Sequence, residues 1–528
     1  MQKDSVSSEG IELNVQFQKA IDLMSDPQQS VFITGKAGTG KSTLLDYFCK
    51  QSNNKPVILA PTGVAALNVK GQTIHSFFNF YVDVTPQKIK DKEVKPRSKK
   101  VYKTLKTIII DEVSMLRADL LDCIDIFLRI YGPAPSEPFG GVQMIFVGDL
   151  YQLPPVVTSH ERDLFREHYV SPYFFSAEAF EHIDFKIIEL DKVYRQKEQE
   201  FVDLLNTIRN NTVSEAELLH LNSRYLPNFK TTNDQFYISL TTTNKKSDEI
   251  NEEHLEALSE KLQVSKASVK GDFTKEYYPT SKSLQYKVGA QIMLLNNDQK
   301  RRWVNGSIGI IEGTKIDEEG EPYLRVRLQS TGQIVLVHKF NWEVFKFTTV
   351  GKNIVSEPIG TFSQFPFRLA WAVTIHKSQG KTFDNVIVDI GRGTFASGQM
   401  YVALSRCTSF EGLVLKTPIK KHHIQTDYKI GQYLTKAKYQ EVDPSLEIDG
   451  KIELILEAIR NKCSLDITYI MNDNTETQRI VIPQKLREQS YQSTVFQGLL
   501  AFCTKRQAIR TFRVDRIVKL SVAEAISP

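Results

Sequence analysis

The stretch "GKAGTGKSTLL", residues 35–45, decides how this chain is read. It satisfies G-x-x-x-x-G-K-[ST], with Gly35, Gly40, Lys41 and Ser42 in the fixed places. Glycines there let successive backbone N–H groups turn inward around phosphates, and the helix that follows presents its N-terminus to the anion. The run Gly35, Lys36, Ala37, Gly38, Thr39, Gly40, Lys41, Ser42 and Thr43 is therefore assigned to a nucleoside triphosphate. Lys41 is assigned to the β and γ oxygens and Ser42 to Mg²⁺.

Outward from the loop, four short apolar runs, "SVFITG", "PVILAPT", "KTIIIDE" and "QMIFVGD", each end on polar or glycine residues. Unbroken Val, Ile, Leu and Phe without alternation suits strands buried on both faces of a parallel sheet. Helical patterns such as "KSTLLDYFCK" and "MLRADLLDCIDIFLRIYG" lie between them, which predicts a doubly wound α/β lobe over residues 1–190. Ligands bind beyond the carboxyl ends of such strands. That places Asp111 and Glu112 of "TIIIDEVSM" and Gln152 of "VGDLYQLPPV" beside the loop. Asp111 is expected to hold the metal through water, Glu112 to act as general base on the attacking water, and Gln152 to sense the γ-phosphate.

The lysine-rich "TPQKIKDKEVKPRSKKVYK" predicts a solvated insertion at about 79–104, or a small arm touching phosphates. A second α/β set, "FYISLTTTN", "NVIVDI" and "GLVLKT", predicts another lobe over 191–265 and 362–437. The turn-rich, alternating stretch between them reads as a small antiparallel barrel inserted over 266–361. A linker at 438–450 then leads to a last unit, 451–528, opened by the amphipathic "KIELILEAIRNK".

At 528 residues the chain is long enough for roughly three or four compact units. A net charge of +5 is too small to identify a nucleic-acid partner but allows local basic surfaces. The five cysteines form no C-x-x-C pair, so neither a zinc site nor a disulfide framework is expected. A polar N-terminus and the lack of any long apolar run predict a soluble, cytoplasmic protein.

Taken in order, "GKAGTGKST", "APTGVAALNVKGQTIHSFF", "IIIDEVSM", "GGVQMIFVGDLYQLPPV", "ELDKVYRQ", "WAVTIHKSQGKTFD" and "GQMYVALSRC" resemble the motifs of the petite-integration-frequency (PIF-type) helicases. This is a RecD-like branch of superfamily one, and the resemblance spans about residues 11–437. It implies two RecA-like lobes and an ATP- and Mg²⁺-dependent motor running 5′-to-3′ on single-stranded DNA, with forks, G-quadruplexes or RNA–DNA hybrids among possible substrates. Roles in replication, repair or recombination follow by the same likeness, as does a monomer when free. Arg195 and Arg406 lie far downstream of the loop, are expected on the second lobe, and would stabilise the transferring phosphoryl group across the cleft.

The resemblance places Thr62, Gly63, Thr73, His75 and Phe77 beside the strand on the first lobe; His376 and Lys377 of "TIHKSQG" are candidates on the other, with Thr241, Asn244 and Asn305 as further, weaker ones. Gln379 and Gly380 fall on the nucleotide side of "TIHKSQG". Phe77 and Phe78 could equally be core residues. Where the family carries an adenine-reading glutamine, this chain has Phe17, flanked by Gln16 and Gln18, with Gln18 the preferred substitute.

The last unit resembles a WYL domain, carried by "LDITYI", "QRIVIP" and "FCTKRQAIRTFRVDRIVKL", although "QGLLAF" stands in place of the eponymous triplet. Arg479, Arg506, Arg510, Arg513 and Arg516 are its candidates for an anionic ligand or nucleic acid. Two other readings are a DNA-independent phosphate-loop switch or kinase and a WYL-type regulator. The first leaves "TIHKSQG" and "YVALSR" in the second lobe unexplained, and the second predicts that Glu112→Gln leaves the protein's activity intact.

Overall fold

A computed structural model describes residues 5–6, 12–52, 54–81, 83–157, 161–196, 198–231, 235–350, 353–391, 393–431, 433–434, 448–461, 463–491 and 494–522. Most of the expected linker at 438–450 lies outside these. The chain forms two compact units, Met1–Leu205 with Ser214–Gln425, and Asn206–Val213 with Thr426–Pro528.

The first unit starts with helix α1 (Val15–Ser25), capped where Asn14 Oδ1 accepts from the Phe17 N–H at 2.9 Å. Strands β1 (Ser30–Gly35), β2 (Val57–Ala60), β3 (Gln72–Thr73), β4 (Thr107–Ile110), β5 (Gln143–Val147) and β6 (Phe185–Leu190) pair wholly in parallel, in the order β3-β2-β4-β5-β1-β6. Every residue of β1 and β5 is buried, as unbroken apolar runs covered on both faces must be. Helix α2 (Lys41–Gln51) leaves β1 through the phosphate loop, and α3 (Ala118–Tyr131) follows β4.

A second parallel sheet is built from β7 (Ile238–Thr241), β8 (Ala372–Thr374), β9 (Val386–Asp389) and β10 (Leu413–Leu415), in the order β8-β7-β9-β10. Helix α4 (Gln399–Leu404) lies between β9 and β10. The segment between β7 and β8 carries an antiparallel five-stranded sheet, a long hairpin from Phe340–Val350 and Asn353–Gln364, and a two-stranded ribbon. Its pairing reaches beyond 266–361 on both sides. Gln263–Lys266 pairs with Ser283–Tyr286, and Phe367–Leu369 closes the five-stranded sheet against Gln291–Leu294.

The lysine-rich stretch departs from the solvated loop expected of it. Short helices Pro86–Lys90 and Lys99–Lys103 bury Ile89, Val101 and Tyr102, and the Tyr102 ring packs on Phe77, Phe78 and Phe127. Its lysines face outward because the apolar residues among them are needed by this aromatic core.

In the second unit, helix Ile448–Asn461 accompanies an antiparallel sheet of five strands, in the order Ala508–Arg513, Thr494–Cys503, Glu476–Tyr491, Leu465–Ile470, Ile517–Val522. Among the described residues no helix is long and apolar enough to cross a membrane.

Candidate nucleotide and DNA site

Between β1 and α2 the backbone takes a path closed to most side chains. Gly38 has φ +83°, and a Cβ there would lie 2.5 Å from the Arg195 Cβ. Lys41 Nζ donates to the carbonyls of Gly35 (2.7 Å) and Lys36 (3.0 Å), arching back over the loop. Ser42 and Thr43 are exposed on the first turn of α2. From the second lobe, the Tyr401 hydroxyl accepts the Ala37 N–H at 2.9 Å.

Asp111 and Glu112 follow β4 directly, and Glu112 sits in a left-handed conformation at φ 52°. Such strain in a residue with a side chain persists where surrounding structure enforces it. Burial first, then the Asp111 charge, pushes the Glu112 carboxyl up to about 7, while Lys41 and Arg406 pull the other way. Burial likewise raises Asp111, and Lys41 offsets part of this. A second cation beside Asp111 would relieve the same penalty, and with the Ser42 hydroxyl it offers the hard oxygens that Mg²⁺ shares with phosphates. The residues present therefore fit the ion.

A side-chain chain then crosses between the lobes. Gln379 Nε2 donates to Glu112 Oε2 (3.0 Å) and Gln152 Oε1 (3.3 Å), and Gln152 Nε2 donates to Asp149 Oδ2 (3.3 Å). Arg406 is buried and donates to the carbonyls of Val402 (2.9 Å) and Lys381 (3.1 Å). Burial, with Arg195 next, depresses its guanidinium to about 9. Arg195 departs from its expected place on the second lobe. It stands on the strap that leaves β6 and crosses the phosphate loop, where the Tyr194 N–H bonds the Gly38 carbonyl at 2.9 Å. From there its guanidinium reaches the second-lobe carbonyls of Ser405 (3.4 Å) and Gly380 (3.3 Å).

The residues expected along a DNA strand divide. Lys377 and Asn244 are exposed, and His376 stacks on the exposed ring of Phe395. Thr62 caps helix Gly63–Asn68, and the Glu276 carbonyl would stand 2.6 Å from a Cβ on Gly63. Burial depresses the His75 pKa, which favours the neutral ring. Three residues are less accessible than expected. Phe77 is a core residue, edge-on to Phe78, Tyr102 and Phe347. Thr241 is fully buried and bonds the Thr243 carbonyl, because it closes a strand covered on both faces. Thr73 is buried too, its hydroxyl 2.9 Å from that of Tyr277. Asn305 lies in a relay: Lys381 Nζ donates to its Oδ1 (2.5 Å) and its Nδ2 donates to Asn68 Oδ1 (3.0 Å).

Residues 12–218 match the model of the PIF1-like helicase family. The chain is 32% identical over 405 residues to the ATP-dependent DNA helicase Pif1 of Campylobacter jejuni, covering 72% of this chain and 87% of that one. The chain belongs to the PIF1-like helicase family. The Pif1 helicase from Bacteroides, solved as a double mutant, superposes with a TM-score of 0.75 at 38% identity, covering 82% of this chain and 98% of that one. The Bacteroides enzyme solved with ADP-AlF3 and single-stranded DNA gives 0.59 at 36% identity, covering 81% and 98%. Residues 450–522 match the WYL domain model, so this PIF1-like helicase carries a WYL domain C-terminally.

Within this PIF1-like chain the glutamines beside Phe17 separate. Gln18 is exposed and donates to Asp22 one turn on. Residues two apart on a helix face different ways, and Gln16 is the one turned to the strap, donating to Asp191 Oδ2 at 2.5 Å.

The WYL arginines are likewise unequal. Arg479 is buried with its guanidinium on the sulfurs of Cys503 (3.7 Å) and Met471 (3.8 Å), Arg513 pairs with Asp515, and Arg516 donates to Asn472. Of the five candidates, Arg479, Arg513 and Arg516 are thus engaged by neighbouring side chains, and Arg506 and Arg510 are the exposed pair.

Motif reading by itself passed over four residues. Tyr401 and Gly398 sit within the quoted "GQMYVALSRC" but touch the first lobe. A Cβ on Gly398 would come within 2.3 Å of the Gln152 carbonyl. Lys381 and Arg368 belong to a crowded cation group with Lys377. Loss of solvent, nearly complete around Lys381 and only partial around the exposed Lys377, and then Arg368 depress both lysines, and the buried Arg368 Nε has no hydrogen-bond partner. The signal for Lys381 lay in "SQGKTF" itself; Arg368 had none.

Proposed function

We propose that the chain is an ATP-driven motor that moves 5′-to-3′ on single-stranded DNA and opens duplexes, forks or other structured DNA. The observation that carries this reading is the Gln379 bridge, which joins the "TIHKSQG" segment of one lobe to the general-base candidate Glu112 and the sensor candidate Gln152 of the other. In this reading Lys41, Ser42 and Thr43 hold the triphosphate, and Ser42 with Asp111 holds Mg²⁺, which supplies charge neutralisation at the phosphate oxygens. Glu112 takes a proton from the attacking water. Arg195 and Arg406 stabilise charge on the transferring group, and losing the γ-phosphate loosens the contacts of Gln152 and Gln379, so the cleft opens once per cycle.

DNA phosphates would lie against Thr62, Gly63, Asn244, Asn305, His376 and Lys377, with Lys381 and Arg368 behind them. An anion there relieves the repulsion of three gathered cations. Such contacts bind without reading sequence. Arg506 and Arg510 are the side chains best placed for an anionic partner of the WYL domain. Work on cytoplasmic DNA in repair or recombination fits this chemistry.

The test is unwinding of two partial duplexes that differ only in carrying a 5′ or a 3′ single-stranded tail, with ATP and Mg²⁺. Unwinding of the 5′-tailed substrate alone, lost in Lys41→Ala, is expected. Opening from the 3′ tail would overturn the polarity, and opening of neither would overturn the motor.

A further inference from the structure

The strap over the phosphate loop orients the nucleotide from end to end. At its far end Arg195 and Gln196 reach the second lobe, Gln196 Nε2 donating to the carbonyls of Ser405 (3.0 Å) and Cys407 (3.1 Å). This is the side of Arg406, Glu112 and Gln152, where the γ-phosphate belongs. The near end starts at Asp191, beside α1. A triphosphate with its γ end among those residues carries its base toward α1, Asp191 and Tyr194.

What stands there is aromatic. The Phe17 ring lies 3.0 Å and the Tyr194 ring 3.9 Å from the Cβ position of Gly40. Phe17 is fixed in the core with Ala20, Leu44 and Leu45, whereas Tyr194 is 43% exposed. Its hydroxyl accepts from Asn14 Nδ2 at 3.2 Å, and the Lys192 ammonium lies 5.5 Å from its ring centroid.

Among the described residues of α1 and its cap, the amides are committed elsewhere. Gln16 uses both ends on Asp191, donating to its carboxylate at 2.5 Å and accepting its backbone N–H at 3.0 Å. Gln18 bonds Asp22 at 2.8 Å, and Asn14 uses Oδ1 on the Phe17 N–H and Nδ2 on Tyr194. Telling adenine from other bases takes a paired donor and acceptor aimed at its edge. A ring face stacks on every base alike.

We propose that the nucleobase is held by stacking on Tyr194 without being read by a side-chain amide, so that the motor hydrolyses ATP, GTP, CTP and UTP with similar efficiency. This rests on the reading that the phosphate loop hydrolyses a triphosphate. The test measures kcat/KM of the full chain for the four triphosphates, with Mg²⁺ and saturating single-stranded DNA, in the wild type and in Tyr194→Ala. The expected result is four values within about tenfold, the spread that differences in stacking allow, and a KM raised about tenfold for all four in the variant. A preference for ATP above that spread overturns the inference and leaves the motor standing. An unchanged KM in Tyr194→Ala overturns the stacking role. No hydrolysis of any triphosphate would overturn the motor reading and this inference with it.

Discussion

Glu112 and Lys381 show how burial sets chemistry one residue at a time. Glu112, raised to about 7 by burial and by Asp111, is poised to accept a proton near neutral pH. Glu112→Gln keeps the shape and removes the basicity, so turnover should fall about 10²- to 10⁴-fold while nucleotide binding persists; a fluorescent-nucleotide titration beside a phosphate-release assay checks both. Lys381 is depressed to about 7 by burial and by Arg368, against about 10.4 in an unfolded chain. Between those values the unfolded chain binds more protons, so this site's penalty is fully present below pH 7 and fades as pH rises. Lys381→Met should therefore raise Tm relative to wild type by about 2 °C more at pH 6 than at pH 9. An equal gap at both pH values would show that the ammonium does not titrate there.

At the scale of the element, helix α4 is the second lobe's hold on the first. It begins at Gly398, φ +72°, whose missing Cβ leaves room for the carbonyls of Gln152 and Tyr151, and it carries Tyr401 to the Ala37 N–H. Gly398→Ala should push the helix off and displace Tyr401 and Arg406 together. A shift of this kind costs about a hundredfold in turnover, so steady-state ATPase should fall by that order while circular dichroism stays unchanged. Helix Glu215–Asn222 owes its start to a capping box in which Ser214 and Glu217 each accept the other's N–H. Ser214→Ala should cost about 1 kcal/mol, read by chemical denaturation, with ATPase at wild-type level.

For the molecule as a whole, the Gln379 bridge makes hydrolysis depend on how the lobes stand. Gln379→Ala should leave single-stranded DNA affinity within about threefold, since phosphate contacts dominate it, and lower DNA-stimulated turnover about tenfold or more. Fluorescence anisotropy with labelled DNA and ATPase at saturating DNA separate the two. Equal losses in both would assign Gln379 to the strand itself.

The sequence by itself determined whatever is written in contiguous residues. The phosphate loop follows from glycine torsions, the parallel strands from unbroken apolar runs, and the place of Asp111 and Glu112 from the end of one such run. The family likeness was legible because its motifs are themselves short and contiguous. Tertiary structure alone decided what depends on distant residues meeting. Gln379 finds Glu112 across a separation of 267 positions, and Arg195 stands over the first lobe's phosphate loop yet reaches the second lobe's carbonyls across the cleft. Phe77 and Thr241 turn inward because other chain segments cover them. Gln16, not Gln18, faces the strap because the helix rotates between them while Asp191 stands on one side only. Local torsion and hydrophobicity are properties of a few neighbouring residues; burial and partnership belong to the whole packed chain.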